Sequence, residues 1–215
     1  MVQRRDGRLR ADAARNRERL VAAAREVFSE HGLDVSMRQI ARHAGVSEPT
    51  LRRRFAGRDE LLAAVFEDKL VLYAEIAEAA LKQDDAWAGF TGYVRWVARA
   101  QLADRGFADV LTRTFPASLG YEQYRRRAWA AVEELITRAK AAGGLRADFS
   151  AEDIPLLLLA HAGVLAGAGR VAERMSDRLL AYFLQAFAAP GGGPLPPAPS
   201  AAETYHALMK ANREK

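Results

Sequence analysis

The sequence predicts an all-α protein with a small cationic N-terminal head on a larger helical bundle. Three observations predict it. Apolar residues recur at three- and four-residue spacing throughout, while strand-like alternation is scarce. Glycine stops and Ser or Asp starts cut that pattern into helix-length segments. The charge is also unevenly divided: residues 1–58 hold fourteen arginines and seven acids, while all five lysines and twenty of the 27 acids lie beyond them. At 215 residues there is room for one domain of ordinary size plus the head.

Residues 1–14 read as a basic arm. The stretch has no apolar run, and Asp6 and Asp12 interrupt its charge, so it does not read as a signal peptide. Arg4, Arg5, Arg8 and Arg10 suit either a flexible arm reaching a phosphate or the minor groove, or a solvated tail. Arg15 to His31 is an amphipathic helix with Leu20, Ala24, Val27 and Phe28 on one face and Gly32 as its stop. Ser36 and Gln39 then form a capping box, Ile40, Ala41 and Ala44 give the next helix its inward face, and Gly45 ends it. Ser47 caps a third helix. Pro49 is tolerated there because the first turn has no intrahelical N–H bond to lose. Leu51 and Phe55 face inward, which leaves Glu48, Thr50, Arg52, Arg53 and Arg54 outward. Two short helices, a glycine turn and a cationic second helix make a helix-turn-helix that places its second helix in a DNA major groove. The alternative is an ordinary helical hairpin with a solvated arginine run; the charge asymmetry favours the phosphate-binding surface.

A longer helix follows from Asp59, with Leu61, Leu62, Val65, Phe66 and Leu70 as its stripe. The order of these elements resembles the tetracycline-repressor (TetR) family. The residues that carry the likeness are Val27-Phe28, Gly32, Ser36, Ile40-Ala41, Ala44-Gly45-Val46-Ser47, Thr50-Leu51, Phe55 and Asp59-Glu60-Leu61-Leu62. The likeness covers roughly residues 15 to 65. It implies an N-terminal three-helix helix-turn-helix DNA-binding domain (15–58) and a C-terminal helical-bundle ligand-binding and dimerisation domain (59–189). Two positions depart from the family pattern: Arg52 stands where a tyrosine is usual, and Glu48 where a small or basic residue is common. Arg52 can serve either a phosphate or a guanine edge. Glu48 either accepts from a cytosine amino group or, as favoured here, complements the helix N-terminus. The expected DNA-binding set is Ser36, Ser47, Glu48, Thr50, Arg52, Arg53, Arg54 and Arg58, with the two serines, Thr50 and Arg58 setting register.

The bundle continues with Ala86 to Ala103, preceded by Asp84-Asp85 and carrying Trp87, Phe90, Val94 and Val97. Arg105-Gly106 breaks the pattern, and Phe107 to Phe115 is a short helix ended near Pro116. Tyr121 to Ala142 is long, with Tyr124, Ala128, Val132, Leu135 and Ile136, and is closed by Gly143-Gly144. Ser150 to Asp153 starts another helix through Leu156–Leu159 towards Gly169, and Ser176 to Ala188 is the last of the body. Residues 190–199 are a Gly/Pro-rich linker; Ser200 and Glu203 cap a tail helix (200–215) through Tyr205, Leu208 and Met209. Ala160, Gly163, Ala166, Gly167 and Gly169 allow close helix approach, either within the core or, as the resemblance implies, against a second copy in a homodimer.

The central aromatic residues read as core. The resemblance also implies a cavity for an unknown small-molecule effector, with Trp87, Tyr93, Trp96, Tyr124 and His161 as candidate contacts. No enzyme, cofactor or metal is expected: His31, His43, His161 and His206 are scattered without ligand spacing, and no phosphate loop, nucleophile elbow or HExxH stretch appears. No stretch reads as membrane-spanning, since Ile154 to Gly169 is short and contains His161. The absence of cysteine is compatible with a reducing cytoplasm. Together these features predict a ligand-responsive DNA-binding transcriptional regulator, a repressor of a palindromic double-stranded operator, in which the effector moves the helix from Asp59. Two other classes stay open: a helical binding protein or enzyme with an incidental basic head, and a low-specificity architectural DNA binder.

Overall fold

The computed structural model describes residues 2–113, 120–200 and 202–204, with side chains from Ala13. Among them the head comprises α1 (Val2–His31), α2 (Met37–His43) and α3 (Glu48–Arg54). Helix α4 (Arg58–Ala80) leads into α5 (Ala86–Ala103), α6 (Arg105–Thr112), α7 (Tyr121–Ala141), α8 (Asp153–Ala168) and α9 (Ala172–Phe187). A single 3-10 turn, Gly169–Val171, joins the last two. One isolated antiparallel bridge, Leu145 to Ala188, ties the ends of α7 and α9 together.

Helix α1 starts earlier than the expected Arg15, its backbone being helical from Val2. Alanine, arginine and leucine are strong helix formers, so the segment read as an arm prolongs the helix. The side chains of Arg4, Arg5, Arg8 and Arg10 lie outside the described residues. So do Phe115 and Pro116 at the expected end of the short helix, and Tyr205, Leu208 and Met209 of the tail. The cap of that tail is described: Glu203 accepts from the Ser200 amide at 2.8 Å, and its own amide donates to Ser200 Oγ at 3.3 Å.

Leu20, Ala24, Val27 and Phe28 of α1, Ile40 and Ala41 of α2, Leu51 of α3 and the adjacent Phe55 close the core of the head. Helix α4 carries that core into the bundle through Leu61, Val65, Phe66 and Leu70, then packs along α7. The Phe28 and Phe66 rings meet at 5.8 Å on this path. At the far end Phe90, Phe149 and Phe187 form an aromatic cluster, with Trp87 stacked on Phe90 at 5.7 Å.

The break after α5 falls at Asp104, not at Arg105-Gly106. Asp104 caps α6 by accepting from the Phe107 amide at 2.9 Å, and Lys69 of α4 binds the same buried carboxylate. Gly106 lies inside the first turn of α6, and its value there is size: a Cβ on it would stand 2.8 Å from Phe66 Cζ and 2.9 Å from the Phe28 carbonyl oxygen. The Gly/Pro segment docks where it leaves α9. Arg146 is buried and binds the carbonyls of Ala186 and Gly193, while the Leu195 amide donates to Asp148 Oδ2 at 2.8 Å. Held by the Arg146 guanidinium and by that amide, Asp148 stays ionised far below the usual carboxylate range.

Candidate nucleic-acid interface and effector cavity

Local chemistry builds the hairpin. Ser36 Oγ accepts from the Gln39 amide at 3.2 Å while Gln39 Oε1 accepts from the Ser36 amide at 2.8 Å, so both ends of the box are made. Gly45 takes φ +68°, the left-handed turn that lets α2 end and α3 begin. Ser47 Oγ accepts from the Thr50 amide at 3.3 Å and lies 2.8 Å from Thr50 Oγ1. Ser36, Ser47 and Thr50 therefore fix the hairpin by capping.

On α3, Arg52, Arg53 and Arg54 are all exposed. Arg53 lies two residues from buried Leu51, roughly opposite it at the helical period, and Arg52 and Arg54 flank it. Arg53 donates to Thr50 Oγ1 at 2.9 Å, which draws it along the helix surface. Glu48 and Arg52, the two departures from the family pattern, are a single interaction: an i,i+4 ion pair at 2.7 Å with a second bond at 2.9 Å. Such an exposed pair contributes only about 0.3–0.5 kcal/mol, so a phosphate or base can take Arg52 over readily. Glu48 is therefore a partner of Arg52 as well as an anion in the first turn of α3.

Arg58 differs from the rest of the expected DNA set in being bonded into the fold. It stands at the start of α4 beneath the α1–α2 loop, and its guanidinium donates to the carbonyls of Leu33 and Val35 and covers the Phe28 ring at 5.5 Å. Burial lowers its pKa, with Asp34 opposing the shift. It therefore holds the loop that carries the hairpin. The other side of that loop is fixed by α6. Asp109 Oδ2 accepts from the Leu33 amide at 2.7 Å, and Arg113 grips both Asp34 oxygens at 2.7 and 2.8 Å while reaching Asp109 at 3.2 Å. A cleft of about 260 Å³ runs along this joint, from Gly32 and Asp34 past Arg105 and Arg113 to Gly163 of α8.

The five expected effector contacts do not converge. Tyr93 alone lines a described cavity, a space of about 150 Å³ shared with Tyr73, Arg125, Trp129, Leu111, Val132, Ile154, Pro155 and Leu158. Its hydroxyl donates to Tyr73 Oη at 2.9 Å, and burial raises both phenol pKa values. Trp87 belongs to the far aromatic cluster and Trp96 packs beside Tyr73, their rings 6.5 Å apart. Tyr124 turns outward, 3.1 Å from Glu67. His161 is buried between Gln101 Oε1 and Ser176 Oγ, each at 2.8 Å, and stitches α5, α8 and α9 together. Gln101 spends its amide N–H on the Leu158 carbonyl, so its oxygen accepts from His161 Nδ1–H, and Nε2 accepts from Ser176. The sequence reading missed Arg125 and Trp129. A signal for Arg125 exists: it falls four residues after buried Tyr121 and three before buried Ala128, a cation on an apolar stripe.

Burial holds His161 neutral, below its ordinary value of 6.5. Its contribution to stability is therefore whole above that value and is lost as pH falls from there through the depressed folded value. Urea unfolding from roughly pH 7.5 down to 5 is expected to show a decline in stability that His161→Gln reduces. Equal declines in the two proteins would assign the effect to other groups.

Residues 20–65 match the model of the family described as bacterial regulatory proteins, tetR family. Over 72 residues the chain is 38% identical to the HTH-type transcriptional regulator BetI of Brucella suis biovar 1 (strain 1330), a match covering 34% of this chain. That alignment spans 36%, about a third, of the curated relative's length. The fold is shared with the TetR transcriptional regulator SCO0520 from Streptomyces coelicolor: 27% identity, 81% of this chain, 99% of that chain and a TM-score of 0.53. It is shared also with the transcriptional regulator FadR from Bacillus subtilis, solved in complex with stearoyl-CoA, at 16% identity over 78% of this chain and 97% of that one, TM-score 0.53. With the helix-turn-helix signature in its head and this fold throughout its body, the chain belongs to the tetR family of bacterial regulatory proteins.

Proposed function

We propose that the chain is a ligand-responsive repressor that binds a palindromic DNA operator as a homodimer in the cytoplasm. The observation that carries this reading is the outer face of α3, where Arg52, Arg53 and Arg54 stand exposed on a helix capped and braced from beneath. Phosphate contacts supply affinity and salt dependence, and one or two arginines read base edges.

The dimer is supported by α8 and α9. The stretch Asp153–Phe187 is long and apolar enough by length and composition to cross a membrane, with 28% of its most apolar window buried. Gly169, at φ +51°, and the 3-10 turn divide it into two helices that pack on each other. Leu156, Met175 and Tyr182 are exposed on them, and a Cβ at Gly163 or Gly167 would meet open space. A second copy packed on this face covers it, and a twofold pair of heads then matches a palindrome. The cavity at Tyr93 supports the effector side of the reading, as does FadR, a shared fold that holds an acyl ligand.

The test is a fluorescence-anisotropy titration with duplex DNA from upstream of the chain's own gene, beside a scrambled duplex and a salt series. Tight, salt-dependent preference for the native duplex is expected. Equal affinity for both duplexes would point to architectural binding, and no binding at low salt would overturn the reading.

A further inference from the structure

Arg125 belongs to two structures at once. Its guanidinium forms part of the wall of the Tyr73–Tyr93–Trp129 cavity, whose other described lining is aromatic or aliphatic. The same guanidinium binds the carbonyls of Val110 and Arg113, the latter at 2.6 Å, where α6 ends. A helix C-terminus has carbonyls with no intrahelical partner, and a cation there satisfies them and complements the helix dipole. Arg125 is thus a C-terminal clamp on α6, supplied from α7.

The clamped turn is also the one that holds the head. Asp109 and Arg113 lie in or next to it and bind the Leu33 amide and the Asp34 carboxylate of the α1–α2 loop. That loop sets the position of α2 and α3. At its other end α6 is fixed by Asp104 and Lys69. A ligand that removes the C-terminal clamp leaves α6 anchored at one end only, with the head attached to the loosened end.

The cavity chemistry selects such a ligand. A space of about 150 Å³ is the size that accepts a single benzene ring. Tyr93 spends its proton on Tyr73, so the Tyr73 O–H is left to donate, and the Arg125 guanidinium stands in the same wall. A ring carrying a hydrogen-bond acceptor fits these walls. A carboxylate fits best, because guanidinium and carboxylate pair through two charge-assisted bonds that neutral carbonyls cannot match. We propose that this cavity takes a small aromatic carboxylate, which draws Arg125 off the Val110 and Arg113 carbonyls and so uncouples α6 from the DNA-binding head. The inference rests on the ligand-responsive reading above and adds the chemical class of the ligand and the residue that senses it. The switching is a population shift: the anion favours the state in which Arg125 has left α6.

The experiment compares benzoate with benzamide, the same ring without the charge, on the full chain. Calorimetric titration reads affinity, and hydrogen–deuterium exchange reads the last turn of α6. Benzoate is expected to bind at least about ten-fold more tightly than benzamide, a difference typical of one charge-assisted contact. It is also expected to speed exchange at Val110 to Arg113, which benzamide leaves unchanged. Arg125→Lys, which keeps the charge but not the planar fork, should lose most of the preference. Equal binding of the two rings would overturn the charge assignment while keeping the cavity as a ligand site. Benzoate binding that slows α6 exchange or leaves it unaltered would overturn the release mechanism. Binding by neither ring would overturn the inference and with it the effector reading of this cavity; repression tested through operator binding would stand apart.

Discussion

Gly106→Ala is expected to destabilise the protein by about 2 kcal/mol, although alanine favours a helix. The two effects have opposite signs and can be weighed. In a helix interior the exchange gains up to about 1 kcal/mol from backbone entropy. Here the new methyl would stand 2.8 Å from Phe66 Cζ, 2.9 Å from the Phe28 carbonyl oxygen and 3.0 Å from Phe28 Cβ. Both phenylalanines are fully buried, and the Phe28 oxygen already accepts from the Gly32 amide at 2.8 Å to end α1. Neither can yield without moving α1 or α4. Overpacking of this kind costs about 1–3 kcal/mol or more and outweighs the propensity gain. Urea unfolding measures the difference, with Gly92→Ala as its control. Gly92 lies on exposed α5 surface where a Cβ meets nothing within 4 Å, so that change should be neutral or stabilising by up to about 1 kcal/mol. If Gly106→Ala proved as stable as the control, α6 would not be packed tightly on the head.

That comparison marks where the sequence was legible and where it was not. The hairpin was readable because its determinants are local: Ser36 with Gln39, Gly45 at positive φ and Ser47 with Thr50 all act within four residues. Gly106 has the same local appearance as Gly45, yet it serves a contact with residues far away in sequence, and no local pattern separates a turn glycine from a packing glycine. The partners of Arg58 were hidden for a related reason. Its position beside the hairpin suggested a register-setting member of the DNA-binding set, whereas its partners Leu33 and Val35 come from a loop whose path only the tertiary fold fixes. The expected effector set suffered most. Aromatic composition locates a core but not the direction of each ring, so Trp87, Trp96, Tyr124 and His161 went to four different surroundings. The linker, too, read from composition only as a Gly/Pro-rich connector, and buried Arg146 fastens its first residues to the body.

Arg53→Ala is expected to lower operator affinity by about ten- to a hundred-fold per head, and to change which duplexes are preferred. Arg53 stands farthest from the Leu51 face, and its one described bond, to Thr50 Oγ1, is to a neutral hydroxyl at the exposed surface. Giving up that bond for a base edge costs little, because a neutral surface hydrogen bond contributes only about 1 kcal/mol net. Arg52 is held more closely by a carboxylate, so removing it also releases Glu48 and gives a mixed effect: a lost contact and a freed anion beside the DNA. Arg54, on the flank of α3, is expected to behave as a phosphate contact, its loss weakening all duplexes alike and reducing the salt slope by about one unit. Anisotropy titrations of the three alanine variants on native and scrambled duplexes separate these roles. An Arg53→Ala protein with unchanged affinity and unchanged sequence preference would remove α3's outermost arginine from readout. Specificity would then rest on the Glu48–Arg52 pair, the point at which this chain departs from its family's pattern.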